Sequence, residues 1–582
     1  MISNHLSSNF KVFKQEYKNY IWASALTIMM FIFVKIVVPL LNFSNYLTIK
    51  NVDNERFMEK LLTLNDYLIG EYMLNKMIII LLAIILAISI FSYLHNRKQV
   101  DFYHSLPISR NSLFFIKYLL GIVIVVPIII ISNIVLYGIL KIILGENLLQ
   151  FRYVLKFISF DILFFITIYS ITVFSSIICG STIASLMLTF ILINIFSIVV
   201  VVVDGLSQIV FKNLIDLSYL FEYTVKYNPV LCYFSLIDSI NHTSMYNINF
   251  GKIDIFITYI IITLVIIIIS LILFKARKSE KSNTCIAFKY AKTIIKYFIV
   301  CVGSILTGML FYLISENSLL LYLGIVMGCI ILHCIVEIIY DFDFRAIFKN
   351  WYSIICCAII CLVIIFSYKF DIFKREDYVP DIEKISNVSI MINANNVLNN
   401  ELNNIQDEDI IKNINDLHKI FINKKNNNNN NNNKVEDTYN FNITYKLRNG
   451  KILCRNINFS YSDYEATNIL KNILNNKKYI KEFANILYKD IANNDINFKL
   501  YNKNFNIYNL EEFNNIDKKY LIKVLKKDIE ESGIFILPED IIFNLNINVN
   551  SWNYGLERNY YNLGISNKYK NTLDYLSKLG IK

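Results

Sequence analysis

The stretch Ile162–Val203, ILFFITIYSITVFSSIICGSTIASLMLTFILINIFSIVVVVV, holds no Asp, Glu, Lys or Arg, and its reading decides the fold. A bilayer core about 30 Å thick is crossed by about 20 apolar helical residues, so this run is about two crossings long. Its break is Gly180-Ser181, which predicts two helices joined by a tight turn. The same criterion applied outward gives nine spans, at approximately 21 to 41, 77 to 94, 118 to 140, 157 to 179, 181 to 203, 255 to 274, 297 to 315, 317 to 337 and 351 to 369. Composition agrees: 55% of the 582 residues are hydrophobic and 18% charged, against about 45–50% and about 25% in soluble domains. A single soluble globule is excluded.

The net charge of +11 comes with no C2H2 spacing, zinc ribbon or RRM-type aromatic motif, so nucleic acid is not expected as a partner. Cys179, Cys301, Cys329, Cys334, Cys356, Cys357 and Cys361 lie in apolar runs and read as small hydrophobes. With no Cys-x-x-Cys pair, neither a metal site nor a disulfide framework is expected.

Short loops rich in Lys and Arg mark the cytoplasmic side. Lys11, Lys14 and Lys18 in the tail, Arg97, Lys98, Arg110 and Lys117 after span two, and Lys275, Arg277, Lys278, Lys281, Lys289 and Lys292 after span six all fall on one side. Lys141, Arg152 and Lys156 dissent. Nine crossings from a cytoplasmic N-terminus put everything after Phe370 outside. No small-residue cleavage site follows span one, which therefore reads as an anchor.

Residues 371–582 turn rich in Asn, Lys and Asp and predict an α+β extracytoplasmic domain. Alternation over 439–445 and 451–457 around Asn449-Gly450 predicts a hairpin with a type I′ turn. Strands are expected at 387–393 and 541–549 and a helix at 465–487, with the Asn-rich run 426–433 as a low-complexity loop. The fold class is thus an α-helical polytopic membrane protein of about nine transmembrane helices with a C-terminal α+β domain: an amphipathic segment 1–20, a six-span core 21–274, three further spans to 370, and 371–582 beyond.

Catalytic residues are not expected, because no G-x-x-x-x-G-K-[ST], H-E-x-x-H or G-x-S-x-G motif occurs. ATP hydrolysis would have to be borrowed from a partner subunit. His333 and Glu337 share one face of span eight as an intramembrane polar pair, with Glu337 expected to reach headgroups or Arg345. Lys35 and Asp161 are expected to snorkel. Phe10, Phe13, Tyr17 and Tyr20 alternate with the tail lysines as in an interfacial amphipathic helix.

The loop after span two, Arg97-Lys98-Gln-Val-Asp101-Phe-Tyr103-His104-Ser105-Leu106-Pro107-Ile-Ser109-Arg110, is the most informative segment. It predicts a helical extension of span two to Ser105, a stop at Pro107 and a new helix capped by Ser109, a rigid elbow suited to a partner's groove. Together with the run on to Gly121, the Phe274–Ser282 segment and Tyr227-Asn-Pro229, it resembles the ABC-2 type permeases of low-GC Gram-positive bacteria, in the subfamily with an appended extracytoplasmic domain. The resemblance implies a multi-pass subunit of the bacterial cell membrane, amid membrane lipid, paired with a separate ATPase and with itself or another permease. It places ATPase coupling on Arg97, Lys98, Asp101, Tyr103, His104, Ser105, Leu106, Pro107 and Arg110, with ATP supplied through the partner and no cofactor bound by this chain. The expected function is export of an amphiphile such as a peptide antibiotic or lipid-like compound; the alternative is a membrane receptor or regulatory anchor that senses an envelope ligand through 371–582.

Overall fold

The computed structural model describes residues 2–41, 73–144, 151–211, 218–241, 252–348, 350–372, 378–394, 398–427, 438–450, 452–460, 463–481, 495–502, 507–509, 518–534, 540–550 and 558–578. Among them, nine helices are long and apolar enough to cross a membrane, one at each expected span: Ile21–Leu41, Met73–His95, Arg110–Ile139, Val154–Ile178, Thr182–Val210, Asp254–Ala276, Lys289–Ser315, Ser318–Asp341 and Tyr352–Lys369. The chain is a multi-pass α-helical membrane protein. Its contacts separate a helical unit within residues 1–365 from a second unit made mostly of 366–582.

In chain order the helical unit comprises α1 (Ile2–Asn19), α2 (Ile21–Phe31), α3 (Met73–Phe91), α4 (Arg97–Ser105), α5 (Arg110–Leu144), α6 (Phe151–Ile178), α7 (Thr182–Val210), α8 (Ser218–Tyr227), α9 (Pro229–Asn241), α10 (Lys252–Ala276), α11 (Lys289–Ser315), α12 (Ser318–Asp341) and α13 (Tyr352–Lys369). The turn expected at Gly180 is present, and the structure supplies its reason. Residues 178–180 zip against 283–287 through Gly180 N to Cys285 O (3.0 Å), Asn283 N to Gly180 O (2.9 Å) and Ala287 N to Ile178 O (2.8 Å). A Cβ at Gly180 would stand 2.2 Å from the Thr284 carbonyl, so glycine is what lets the two backbones meet.

Without a hydrophobic drive between helices in lipid, hydroxyls and small residues hold the bundle. Ser176 of α6 meets Ser185 of α7 at 2.8 Å, and Thr167 meets Thr263 of α10 at 2.8 Å. α11 and α12 close on each other at Gly308 and Gly324, where a Cβ on Gly324 would lie 2.9 Å from the Gly308 Cα. The Cys301 thiol donates to the Cys357 carbonyl at 3.9 Å and the Cys361 thiol to the Cys301 carbonyl at 3.7 Å, which ties α11 to α13.

Two sequence expectations are corrected here. Lys35 does not snorkel: it is 3% exposed, donates to Asn133 (2.9 Å) and lies 3.7 Å from Asp161, whose other oxygen accepts from Tyr233 at 2.6 Å. It sits in a π-helical turn, Ile32–Val37, that continues α2; such bulges re-aim a side chain within a helix. The amphipathic N-terminal helix forms, and Phe13, Tyr17 and Tyr20 pack on the helical core, but Phe10 points away and is 68% exposed.

The second unit carries an eight-stranded antiparallel sheet: β1 (Ile385–Ala394), β2 (Leu398–Ile405), β3 (Thr438–Leu447), β4 (Ile452–Ser460), β5 (Asp495–Asn502), β6 (Ile507–Asn509), β7 (Ile541–Asn550) and β8 (Arg558–Ser566). Helices α14 (Glu408–Asn427), α15 (Tyr464–Leu474), α16 (Lys518–Ser532) and α17 (Lys570–Lys578) interleave with them. The strand order is β4-β3-β1-β2-β8-β7-β5-β6. It is one pattern written twice: hairpin, helix, hairpin, helix gives 4-3-1-2 and then 8-7-5-6. β2 joins β8 at Leu398↔Leu563 and Asn399↔Asn562. Tyr439-Asn-Phe-Asn-Ile-Thr-Tyr445 in β3 and Phe543-Asn-Leu-Asn-Ile-Asn-Val549 in β7 occupy equivalent strands with the same alternation. Buried Tyr439, Phe441, Ile443, Phe543 and Leu545 share one core with the helices' apolar residues.

The expected hairpin forms, with the register Tyr439↔Phe459 to Lys446↔Ile452, one residue off the pairing that a two-residue Asn449-Gly450 turn would give. Its turn is not type I′, since Gly450 takes φ +81° while Asn449 stays out of the positive region, and Gly450 N bonds Leu447 O at 2.9 Å. The helix expected over 465–487 ends at Leu474 as α15, with a break at Asn475-Asn476, and 482–487 lie outside the described residues. Of the Asn-rich run, 428–433 lie outside them as well. Burial and Arg455 push His418 down to about 3, so it is neutral beside the Tyr445 hydroxyl at 3.4 Å.

Candidate coupling surface

The elbow begins with a break that the sequence reading placed too late. α3 ends at Phe91, a 3₁₀ turn spans Ser92–His95, and Asn96 caps a separate helix, α4, by accepting from Lys98 N at 3.1 Å. Leu106, ahead of Pro107, is extended at φ −66°, ψ 142°, the conformation a following proline imposes. Ser109 then caps α5 as expected, accepting from Ser112 N at 3.1 Å.

Along α4 the residues divide by face. Arg97, Lys98, Asp101 and Ser105 are exposed, as are Pro107 and Arg110 beyond its end, while Leu106 is half-buried. Phe102, absent from the sequence-based site, is 61% exposed among the charged residues. An aromatic ring held in water next to mixed charge on a short helix has the make-up of an interface anchor. Tyr103 and His104 turn the other way.

That inward face is fastened at three points. Tyr103 donates to Glu16 Oε1 at 2.9 Å, and Glu16 Oε2 pairs with Lys117 Nζ at 2.5 Å, although Glu16 is on α1 and Lys117 on α5. Lys117 is fully buried, with its ammonium 4.0 Å above the Tyr103 ring and 5.0 Å from that of Tyr93. Burial and the Glu16 charge raise the Tyr103 phenol and push Tyr20 up to about 12. The second point is His104, whose Nδ1 lies 3.0 Å from Ser279 Oγ; burial and Arg110 lower its pKa and favour the neutral ring.

The third is a pair of arginines on helix ends. Arg110 donates to the carbonyls of Lys275 (2.8 Å) and Arg277 (3.2 Å) at the end of α10. Arg277, 5% exposed, donates to Ser176 (3.0 Å), Ile177 and Cys179 (2.7 Å) at the end of α6 and to Leu94 (2.8 Å) after α3. The last carbonyls of a helix lack intrahelical donors and carry the negative end of its dipole, so a guanidinium suits both needs. Burial lowers Arg277 to about 10, leaving it charged at neutral pH. Arg110, expected to meet a partner, thus spends its guanidinium inside the chain, with exposed surface remaining.

The intramembrane candidates come together elsewhere. His333 Nδ1 meets Ser353 Oγ at 3.0 Å, and Ser353 also accepts from Lys296 at 2.7 Å. Glu337, 1% exposed, pairs with Lys296 and accepts from Asn350 at 3.2 Å, so it reaches neither headgroups nor Arg345. The group links α11, α12 and the start of α13. Among the described residues no cluster of His, Cys, Asp and Glu could hold a metal ion.

Sequence reasoning missed Glu16, Phe102, Lys296 and the capping role of Arg277. Two signals were available: Glu16 is the sole acid before Asp53, and Lys117 lies in an apolar run where a charge needs a partner. Comparison with protein-family models, curated proteins and solved structures finds no match to this chain.

Proposed function

We propose that this chain is the membrane-spanning permease subunit of an ATP-driven exporter of amphiphilic compounds in a bacterial cell membrane, working with a separate ATPase and a second permease copy or paralogue. One observation carries the reading: α4 offers an exposed Phe102 face outward, while its inner face and base are bound to α1, α5 and the ends of α3, α6 and α10. A push on a free loop is dissipated. A push on this elbow moves the helices it fastens, and rigid-body tilting of packed helices is how a transporter switches access. Arg97, Lys98, Asp101 and Phe102 are the groups that would meet the ATPase; Tyr103, His104 and Arg110 transmit. The export direction and amphiphilic cargo follow from the resemblance of the elbow to ABC-2 permeases.

Phe102→Asp tests this without touching the packed face. The variant should reach the membrane at the normal level and lose its ATPase on copurification, along with ATPase stimulation by amphiphiles. Undiminished copurification, or the absence of any ATPase partner of the parent chain, would favour the receptor reading instead.

In the same proposal, residues 371–582 form an α+β domain outside the cytoplasm. Native Cys232, Cys285 and Cys454 are buried, so a reporter thiol has to be introduced. With Asn442→Cys, on an exposed position of β3, an impermeant maleimide should label intact cells, whereas Arg97→Cys should label only after lysis. The reverse pattern would invert the topology.

A further inference from the structure

A crevice of about 540 Å³ opens between α7 and the α11–α12 pair, lined by Ala184, Met187, Ile191, Ile299, Leu332 and Ile339 among other apolar side chains. It lies within the helical unit and is the size of a ligand cavity, typically about 300–1,000 Å³. The one phenol in its wall, Tyr340, donates away from it to Lys292 O at 3.0 Å. At one end stands the zipped turn of Gly180 and Cys285. A second apolar recess there shares Ala184, Met187, Cys285 and Ile339 and continues to Phe342 and Phe344.

This space is not suited to water, which needs polar partners inside a protein. Left empty, its walls would forfeit dispersion contacts. Hydrocarbon is what fits, and the mouth says what the hydrocarbon carries. Lys281 and Lys289 flank the segment that forms the Cys285 wall, and Arg345 follows Phe344; all three are exposed. Asp341 is held by Lys292 at 3.1 Å; the exposed acids nearest in sequence are Glu280 and Asp343, which accepts from Arg345 N at 3.0 Å, and with Lys278 the exposed bases outnumber them by four to two. Basic groups at the mouth of an interhelical gap select anionic head groups.

We infer that the crevice between α7 and α11–α12 is a binding site for one anionic phospholipid, with an acyl chain in the apolar space and its phosphate met by Lys281, Lys289 and Arg345. The lipid fills the seam between α7 and the two helices that follow the 277–288 segment. The inference stands apart from the transport reading, since it rests on the crevice and its mouth alone.

The test uses the full-length protein purified in detergent and exchanged with defined mixtures of phosphatidylglycerol and phosphatidylcholine, with retained lipid counted after washing. About one phosphatidylglycerol per chain should resist washing. Each cation near a membrane surface contributes about fivefold in affinity, so the Lys281→Glu/Arg345→Glu chain should lose its preference over phosphatidylcholine by at least tenfold. Met187→Trp, which fills the crevice from a lipid-exposed position, should lower retention of both lipids, with thermal unfolding unchanged as the folding control. Retention that does not saturate, that ignores the charge reversals or that survives Met187→Trp would overturn the proposal, as would closure of the crevice by a second copy of the chain in cross-linking.

Discussion

Glu16→Ala should destabilise the helical unit by about 3–5 kcal/mol, and adding Lys117→Met to the same chain should restore most of that loss. Lys117 is fully buried and its ammonium is neutralised by Glu16 at 2.5 Å. Removing the acid leaves a charge with no water to solvate it, which is costlier than removing both. The surrounding Tyr93 and Tyr103 rings offset part of the penalty by cation–π attraction, about 2 kcal/mol when desolvated. The measurement is a double-mutant cycle from unfolding in mixed micelles. Strict additivity of the two substitutions would show the pair to be energetically idle. Glu16→Gln is the milder probe, because an amide still accepts from Tyr103 while the ion pair is gone.

Arg277→Met should be the most damaging single change in the layer around the elbow. It strands carbonyls of Ile177, Cys179 and Leu94 together and leaves that of Ser176 to His95 Nε2 at 3.1 Å. Leaving a buried polar group unmade costs about 1–3 kcal/mol each, and partial access of water to the helix ends brings the expected total to about 4–6 kcal/mol. Arg277→Lys should recover little, since an ammonium cannot span two helix ends as a planar fork does. Yield of monodisperse protein and protease resistance of the 95–110 elbow read the effect. A wild-type elbow in Arg277→Met would dissociate capping from elbow placement.

The nine spans were legible because an apolar run of bilayer length has few other fates, and even the Gly180 turn was visible as a break in such a run. What fixes the elbow was not. Glu16 and Lys117 are 101 positions apart, and a positively charged side chain beside a span looks the same whether it faces headgroups or a buried carboxylate. Lys35 and Asp161 were misread for that reason: each sits near a span end, where snorkelling is the ordinary outcome, and only the packing of α2 on α5 and α6 brings them together. Glu337 was recognised as significant but given the wrong partner, because Lys296 lies on a different helix. The strand alternation in residues 438–460 was readable, whereas the repetition of the whole strand pattern was not, since Asn-rich segments diverge without losing their alternation.

That repetition has a consequence for how the sheet ends. The seam pairs β2, a first-hairpin edge, with β8, a second-hairpin edge, so the two halves meet through unlike surfaces. A heterologous joint of this kind can be repeated head to tail, and a single half bearing both edges would be able to add further copies strand by strand. With two halves side by side, one joint is occupied and two outer edges, β4 and β6, remain. The strand corresponding to β2 is β6, described over Ile507–Asn509, and the strand corresponding to β8 is β4. The two outer edges are thus the counterparts of the two that meet at the seam, and whatever blocks them keeps this domain from extending into a fibre.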